Sequence, residues 1–172
     1  MGEVKDLFGN IVDVSSSAEV EAEKFPRLPR YAEFMVCAFL TKMGHYCVHV
    51  DTIGFDIILD YEGRSYRVDV KSTSDYHQGG LKERCTWELA KQRSIGGGRY
   101  VNRLLTSDEV DLLALYHLGF DTVIFVPVLR PMRRISLPAS QVRLAGDGGS
   151  SLPVAVQQLR SVRSPQADDE GE

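Results

Sequence analysis

An α/β fold, with a mixed β-sheet held between helices, is what this 172-residue sequence predicts, and three stretches carry the prediction. Tyr31 to Leu40 is apolar at every position except Glu33, and Gly44 follows as a stop, which describes a helix buried on most sides. Phe55 to Tyr61 and Ser65 to Lys71 flank Glu62-Gly63, the pattern of two strands joined by a tight turn. Asp121 to Val128 (DTVIFVPV) is almost continuously apolar, as a central strand covered on both faces should be.

The remaining elements fall around these. Residues 1–27 carry Ser15-Ser16-Ser17, scattered acids and Pro26, and read as a loosely attached arm. The helix starts after Pro29, and Tyr46 to Val50 is a first strand. A strand is expected around Thr86 to Leu89, then a loop at Gly96-Gly97-Gly98. Thr106 and Glu109 form a T-x-x-E capping box, which predicts a helix through Leu118 closed by Gly119. Ile135 to Leu144 reads as an edge strand and Pro153 to Val162 as a short amphipathic helix, with disorder expected after Ser164. The chain thus divides into an arm (1–27), one globular domain (28–144) and a linker, helix and acidic tail (145–172).

Composition narrows the function classes. Cys37, Cys47 and Cys85 are odd in number and lack metal-ligand spacing, which argues against a disulfide framework and a zinc site and suits a reducing cytoplasm. The apolar run from Phe34 to Leu40 is far too short to span a bilayer, and the first ten residues lack the pattern of a secretory leader, so a soluble protein without a membrane partner is expected. The net charge of -4 runs against a nucleic-acid partner, but its distribution does not. Acids gather at both ends, whereas from His77 to Arg103 six basic residues (Lys82, Arg84, Lys91, Arg93, Arg99, Arg103) face only Glu83 and Glu88. That stretch can form a basic patch.

The hairpin brings acids together. With Glu62-Gly63 as a two-residue turn, Tyr61 pairs with Arg64, Ile58 with Arg67, and Asp56 stands across from Asp69. Opposed side chains in an antiparallel pair lie within ~5 Å, where like charges repel and a divalent cation between them removes the penalty. Asp69 and Lys71, two apart, share one face of their strand, while Val68 and Val70 face the core. Two carboxylates suited to a hard, oxygen-seeking ion, with an ammonium alongside, fit phosphodiester hydrolysis. Glu33 is costly on an apolar helix unless a partner across the fold, such as this cluster, takes its charge.

The run Gly54-Phe55-Asp56-Ile57-Ile58-Leu59, the turn, then Val68-Asp69-Val70-Lys71-Ser72, preceded by a helix bearing Glu33, resembles the PD-(D/E)xK or restriction-endonuclease-like nuclease superfamily. The later T-W-E-L, S-D-E-V-D-L-L-A-L-Y and D-T-V-I-F-V-P-V stretches are similar to the branch of archaeal Holliday junction resolvases and group I intron homing endonucleases, so the resemblance spans roughly Tyr31 to Val128. It implies an αβββαβ core and a DNA endonuclease using Mg²⁺, with Mn²⁺ as a substitute, on duplex or branched DNA. It further implies Asp56 and Asp69 as metal ligands, helped by the Val70 backbone carbonyl, with Lys71 acting on the attacking water and Glu33 completing the metal shell. Gly54-Phe55 stands where the family pattern has a proline. Lys82, Arg84, Arg93, Arg99 and Arg103 are the expected phosphate contacts, and a homodimer would supply the two sites that cutting both strands calls for. The rival reading is a catalytically inactive nucleic-acid-binding or interaction module on the same fold.

Other residues carry blander expectations. Asp111 falls in the first turns of the expected second helix, where an acid suits the dipole. His45, His49, His77 and His117 show no ligand spacing and read as ordinary surface or core histidines, with only His77, near the end of the expected catalytic strand, a candidate for substrate contact, and Trp87 reads as a packing residue.

Overall fold

The computed structural model describes residues 4–5, 11–12, 28–50, 54–74, 76–77, 83–89, 91–94 and 100–163. Most of the arm, the glycine loop at 96–98, Lys82, Arg99 and the tail beyond Arg163 lie outside the described residues. Two short strands, β1 (Val4–Lys5) and β2 (Ile11–Val12), pair with each other within the arm. Helix α1 (Leu28–Lys42) leads into β3 (Tyr46–His49), β4 (Ile57–Tyr61) and β5 (Arg64–Thr73). Next come β6 (Tyr76–His77), β7 (Arg84–Glu88), β8 (Lys91–Ser94), β9 (Tyr100–Arg103), β10 (Leu112–His117), β11 (Thr122–Pro127), β12 (Arg134–Pro138), α2 (Ala139–Arg143) and α3 (Ser151–Arg163). Among the described residues no helix is long and apolar enough to cross a membrane.

The main sheet has five strands in the order β11-β10-β5-β4-β3, antiparallel except for the parallel pair β5 and β10. This is the expected mixed sheet flanked by helices. The β4–β5 hairpin forms in the expected register, with Tyr61 opposite Arg64 and Ile58 opposite Arg67. Its turn residues Glu62 and Gly63 have φ of 50° and 71°, the left-handed pair of a type I′ turn whose twist matches the strands it joins.

Alternation along β5 sorts two cores. Tyr66, Val68 and Val70 join Ala32, Val36 and Leu40 of α1 and Leu152, Val156 and Leu159 of α3 on one face. On the other face Leu113 and Leu115 of β10 and Ile124 of β11 meet Cys85 and Trp87 of a second sheet ordered β12-β7-β6, together with Ala139 and Val142. Trp87 is the packing residue expected: it is buried, and its Nε1 donates to the Tyr116 carbonyl at 3.1 Å.

Four expectations are corrected. The stretch from Thr106 to Leu118 is not a helix: the T-x-x-E motif makes one turn, with Val110 N donating to Thr106 O at 3.2 Å, after which Asp111 N turns to Arg67 O at 2.9 Å and β10 begins. All six residues of β10 are buried, and a continuous apolar run between packed layers gains more as a central strand than as an amphipathic helix. Asp111 therefore has no helix dipole to suit. Its carboxylate accepts from Arg67 N at 2.7 Å and Arg67 Nη2 at 3.0 Å, and pairs with Arg163 Nη1 at 2.8 Å.

Helix α1 is buried along the Ala32, Val36 and Leu40 stripe only, leaving Tyr31 and Phe34 more than half exposed. The strand Thr122–Pro127 lies at the sheet edge, and its apolar character reflects cover from α3 and the preceding loop: Val123 N donates to Gly146 O and Phe125 N to Ser151 Oγ. These bonds occupy edge donors that a central strand would give to a neighbour. The expected edge strand from Ile135 to Leu144 is half strand (β12) and half helix (α2), while the amphipathic helix near Pro153 is present as α3.

Burial alone would push the Asp111 carboxyl up, but its bonds from Arg67 and Arg163 outweigh that and hold it below the ordinary carboxylate range. A depressed folded value means that the carboxylate stabilises the fold above its unfolded value of about 3.9 and loses that contribution as pH falls through the folded one. Asp111→Asn should cost about 2 kcal/mol in urea unfolding at pH 7, because Arg67 stays part-buried without its anion. The gap between the two proteins should close as pH drops below about 4. A gap that is constant with pH would show that the charge of Asp111 carries no stability.

Candidate active site

Asp56 sits one residue before β4, at the end of a loop that needs Gly54, whose φ of 132° strains any residue with a Cβ. That requirement explains the glycine in a position where the resemblance leads one to expect a different local sequence. Three bonds hold Asp56: its carbonyl accepts from Val50 N at 2.8 Å, its amide donates to Val68 O at 2.9 Å, and its Oδ2 accepts from Val70 N at 2.7 Å. The ladder ends at Ile57 opposite Val68, one pair short of Asp56, so the expected pairing of Asp56 directly across from Asp69 is not part of it: the Asp56 carbonyl turns to Val50 instead. The side chain then reaches past that end to the amide of the residue between Asp69 and Lys71.

Asp69 and Lys71 occupy neighbouring positions on one face of β5, across from Leu113 and Leu115 of β10. Asp69 is 2% exposed, and the Lys71 ammonium lies 2.6 Å from its Oδ2 while remaining 21% exposed. A buried carboxylate of this kind is tolerated only with a counter-charge, which Lys71 supplies.

Glu33 does have a partner across the fold: His49 Nε2 on β3, 2.6 Å from Glu33 Oε2. The His49 ring also stacks obliquely on Phe34, with centroids 4.9 Å apart. Spacing along the chain did not single out His49. The usable signal was strand alternation, since Cys47 and His49 are the half-buried pair of β3 and its neighbours are exposed.

Electrostatics tie the four residues together. Burial pushes the Asp56 carboxyl above its ordinary range, the Val70 N–H opposes that rise, the charge of Asp69 adds to it, Lys71 offsets it and Glu33 adds again. Asp56 thus feels every other member of the expected set.

Three of the five basic candidates lie among the described residues. Arg84 is exposed on β7 and donates from Nε to Ser136 Oγ at 2.9 Å. Arg93 and Arg103 lie on the β8–β9 hairpin, where Arg103 pairs with Lys91 and Arg93 with Val101, and His77 pairs with Arg84 on β6. Lys82 and Arg99 fall outside the described residues.

The donor chemistry fits a hard divalent cation. Mg²⁺ is ordinarily held by one or two carboxylates, with water and substrate phosphate filling the remaining positions. Asp56 and Asp69 are two such carboxylates, one nearly sealed from solvent and one whose charge is disfavoured by burial and by the other. Among the described residues no group of three or more His, Cys, Asp or Glu stands close enough to hold a metal by itself.

No family model and no curated protein matches this sequence. Among solved structures the chain is similar to a bacterial homing endonuclease, I-Ssp6803I, at 18% identity and a TM-score of 0.51, over 66% of this chain and 78% of that one. The likeness establishes a shared nuclease-like fold.

Because the folded value of Asp56 is raised, its ionised form costs stability at every pH above that value, and the cost fades as pH falls through it. Asp56→Asn keeps an acceptor for Val70 N–H and removes the charge. Without divalent cation, its melting temperature at pH 7 should exceed that of the wild type by about 3 °C, with the advantage shrinking in acid. A variant that melts lower at pH 7 would refute the view of Asp56 as a charge held at a cost.

Proposed function

We propose that this chain is a divalent-cation-dependent DNA endonuclease of the PD-(D/E)xK type, acting on duplex or branched DNA. The observation that carries the reading is the buried Asp69 with the Lys71 ammonium 2.6 Å away on one face of β5, and the Asp56 carboxylate bound to the amide of Val70 between them. The nuclease-like fold supports it, since the similar structure is an endonuclease by its own description.

Asp56 and Asp69, with the Val70 carbonyl and Glu33 as further donors, would hold Mg²⁺ or Mn²⁺, which would supply positive charge to offset that of a bound phosphate. The chain's own groups do the rest. Val70 N–H fixes the Asp56 carboxylate so that no reorientation is needed on substrate arrival. Lys71, held against Asp69 yet partly exposed, orients the attacking water and offsets charge growing on the phosphate. His49 fixes the Glu33 carboxylate through its Nε2. Lys82, Arg84, Arg93, Arg99 and Arg103 are proposed to contact the flanking phosphates, which would position the strand without reading its sequence.

Lys71→Ala should lower single-turnover cleavage by about 10²-fold while changing DNA affinity far less, because its effect is aimed at the transition state. Mg²⁺ or Mn²⁺ should raise the wild-type melting temperature by binding the folded state alone, and Asp69→Asn should blunt that rise. Wild-type cleavage by the Lys71 variant would remove Lys71 from the mechanism. A wild-type protein that binds DNA but cuts no duplex, branched or single-stranded substrate with any divalent metal would replace the enzyme with a binding module.

A further inference from the structure

At the turn end of the β4–β5 hairpin, β5 and α3 enclose a cavity of about 120 Å³ lined by Arg64, Ser65, Tyr66, Leu159, Arg160 and Arg163. Arg64 is five residues from Asp69 along the strand, about 16 Å at the usual strand rise, so this cavity is separate from the candidate active site. Three guanidinium groups border it, and the anions they meet are few. Arg160 donates from Nη1 to Glu62 Oε2 at 2.5 Å and from Nε to the Tyr66 hydroxyl at 2.9 Å. Arg163 pairs with Asp111, a carboxylate that Arg67 also engages.

Arg160 Nη2 is buried and has no hydrogen-bond acceptor among the described residues. Its Nε is committed to Tyr66 and its Nη1 to the exposed Glu62, so Nη1 is the nitrogen for which a ligand can compete. Arg64 is exposed among the lining residues, so its donors are open to a ligand, and Leu159 is a buried apolar wall. An excess of planar, multi-donor cations around a small space matches a ligand with several acceptor oxygens.

We propose that this cavity is a phosphate-group site, with Arg64 and Arg160 Nη1 as the charged donors. The phosphate comes either from a nucleic-acid strand or from the free oxyanion, and the site stands whether or not Asp56 and Asp69 hold a cation. Glu62 competes for Arg160 and sets the affinity from within.

The test is calorimetric titration of the full chain with sodium phosphate against sodium chloride at matched ionic strength, beside anisotropy titrations of a labelled duplex over a range of salt. Arg64→Ala should weaken phosphate binding about tenfold, and Glu62→Gln, which frees Arg160 Nη1, should strengthen it. A strand phosphate as ligand would appear as a drop of about one unit in the salt slope of duplex binding for Arg64→Ala; an unchanged slope with a weakened phosphate response identifies the free oxyanion. The proposal is overturned if phosphate gives no heat beyond the chloride control in the wild type, or if both variants titrate as the wild type does.

Discussion

The hydrogen-bonded ion pair between Asp111 and Arg67 sets the register on which the sheet is built. A parallel strand pair has no hairpin turn to align it, and here some forty residues of chain separate β5 from β10. A slip of one residue would move the side chains of β10 to opposite faces. Asp111 blocks that slip through backbone and side chain at once. Its amide donates to Arg67 O, its carboxylate accepts from Arg67 N and from the guanidinium, and its carbonyl accepts from Val128 N beyond the end of β11. With Arg163 of α3 on the same carboxylate, one residue joins β5, β10, β11 and the last helix.

What that register delivers is a central strand covered on both faces. Val68 and Val70 go to the helix layer, and Asp69 and Lys71 lie beside Leu113 and Leu115 on the other face. Desolvation makes each charge there expensive, so the buried Asp69–Lys71 pair is weak evidence of stability and better evidence of use. Asp56 carries the same signature, with burial and a like charge working against its ionised form. Sites that accept such costs are where function most often displaces stability.

The same physics separates what could be read locally from what could not. The hairpin register was legible because a two-residue turn determines every pair back along its strands. The capping motif at Thr106 to Glu109 misled because it does form a first turn, and nothing local says that the turn stops there. What stops it is Arg67, forty-four residues away in sequence, which takes Asp111 in place of a helical partner. Glu33 was recognisable as a charge in need of a partner, but His49 became that partner only once β3 had packed against α1.

By itself, then, the sequence determined the hairpin, the shared face of Asp69 and Lys71, and the helix that carries Glu33. Strand alternation and turn geometry act over a few residues, and they suffice for that. Tertiary structure alone decided that residues 112–117 form a strand, that β11 lies at an edge sealed by Gly146 and Ser151, and that a second sheet carrying Trp87 covers the other face of the main sheet. Each of those outcomes depends on which distant segment supplies the missing hydrogen bond or buries the exposed apolar face, and no short stretch of chain contains that information.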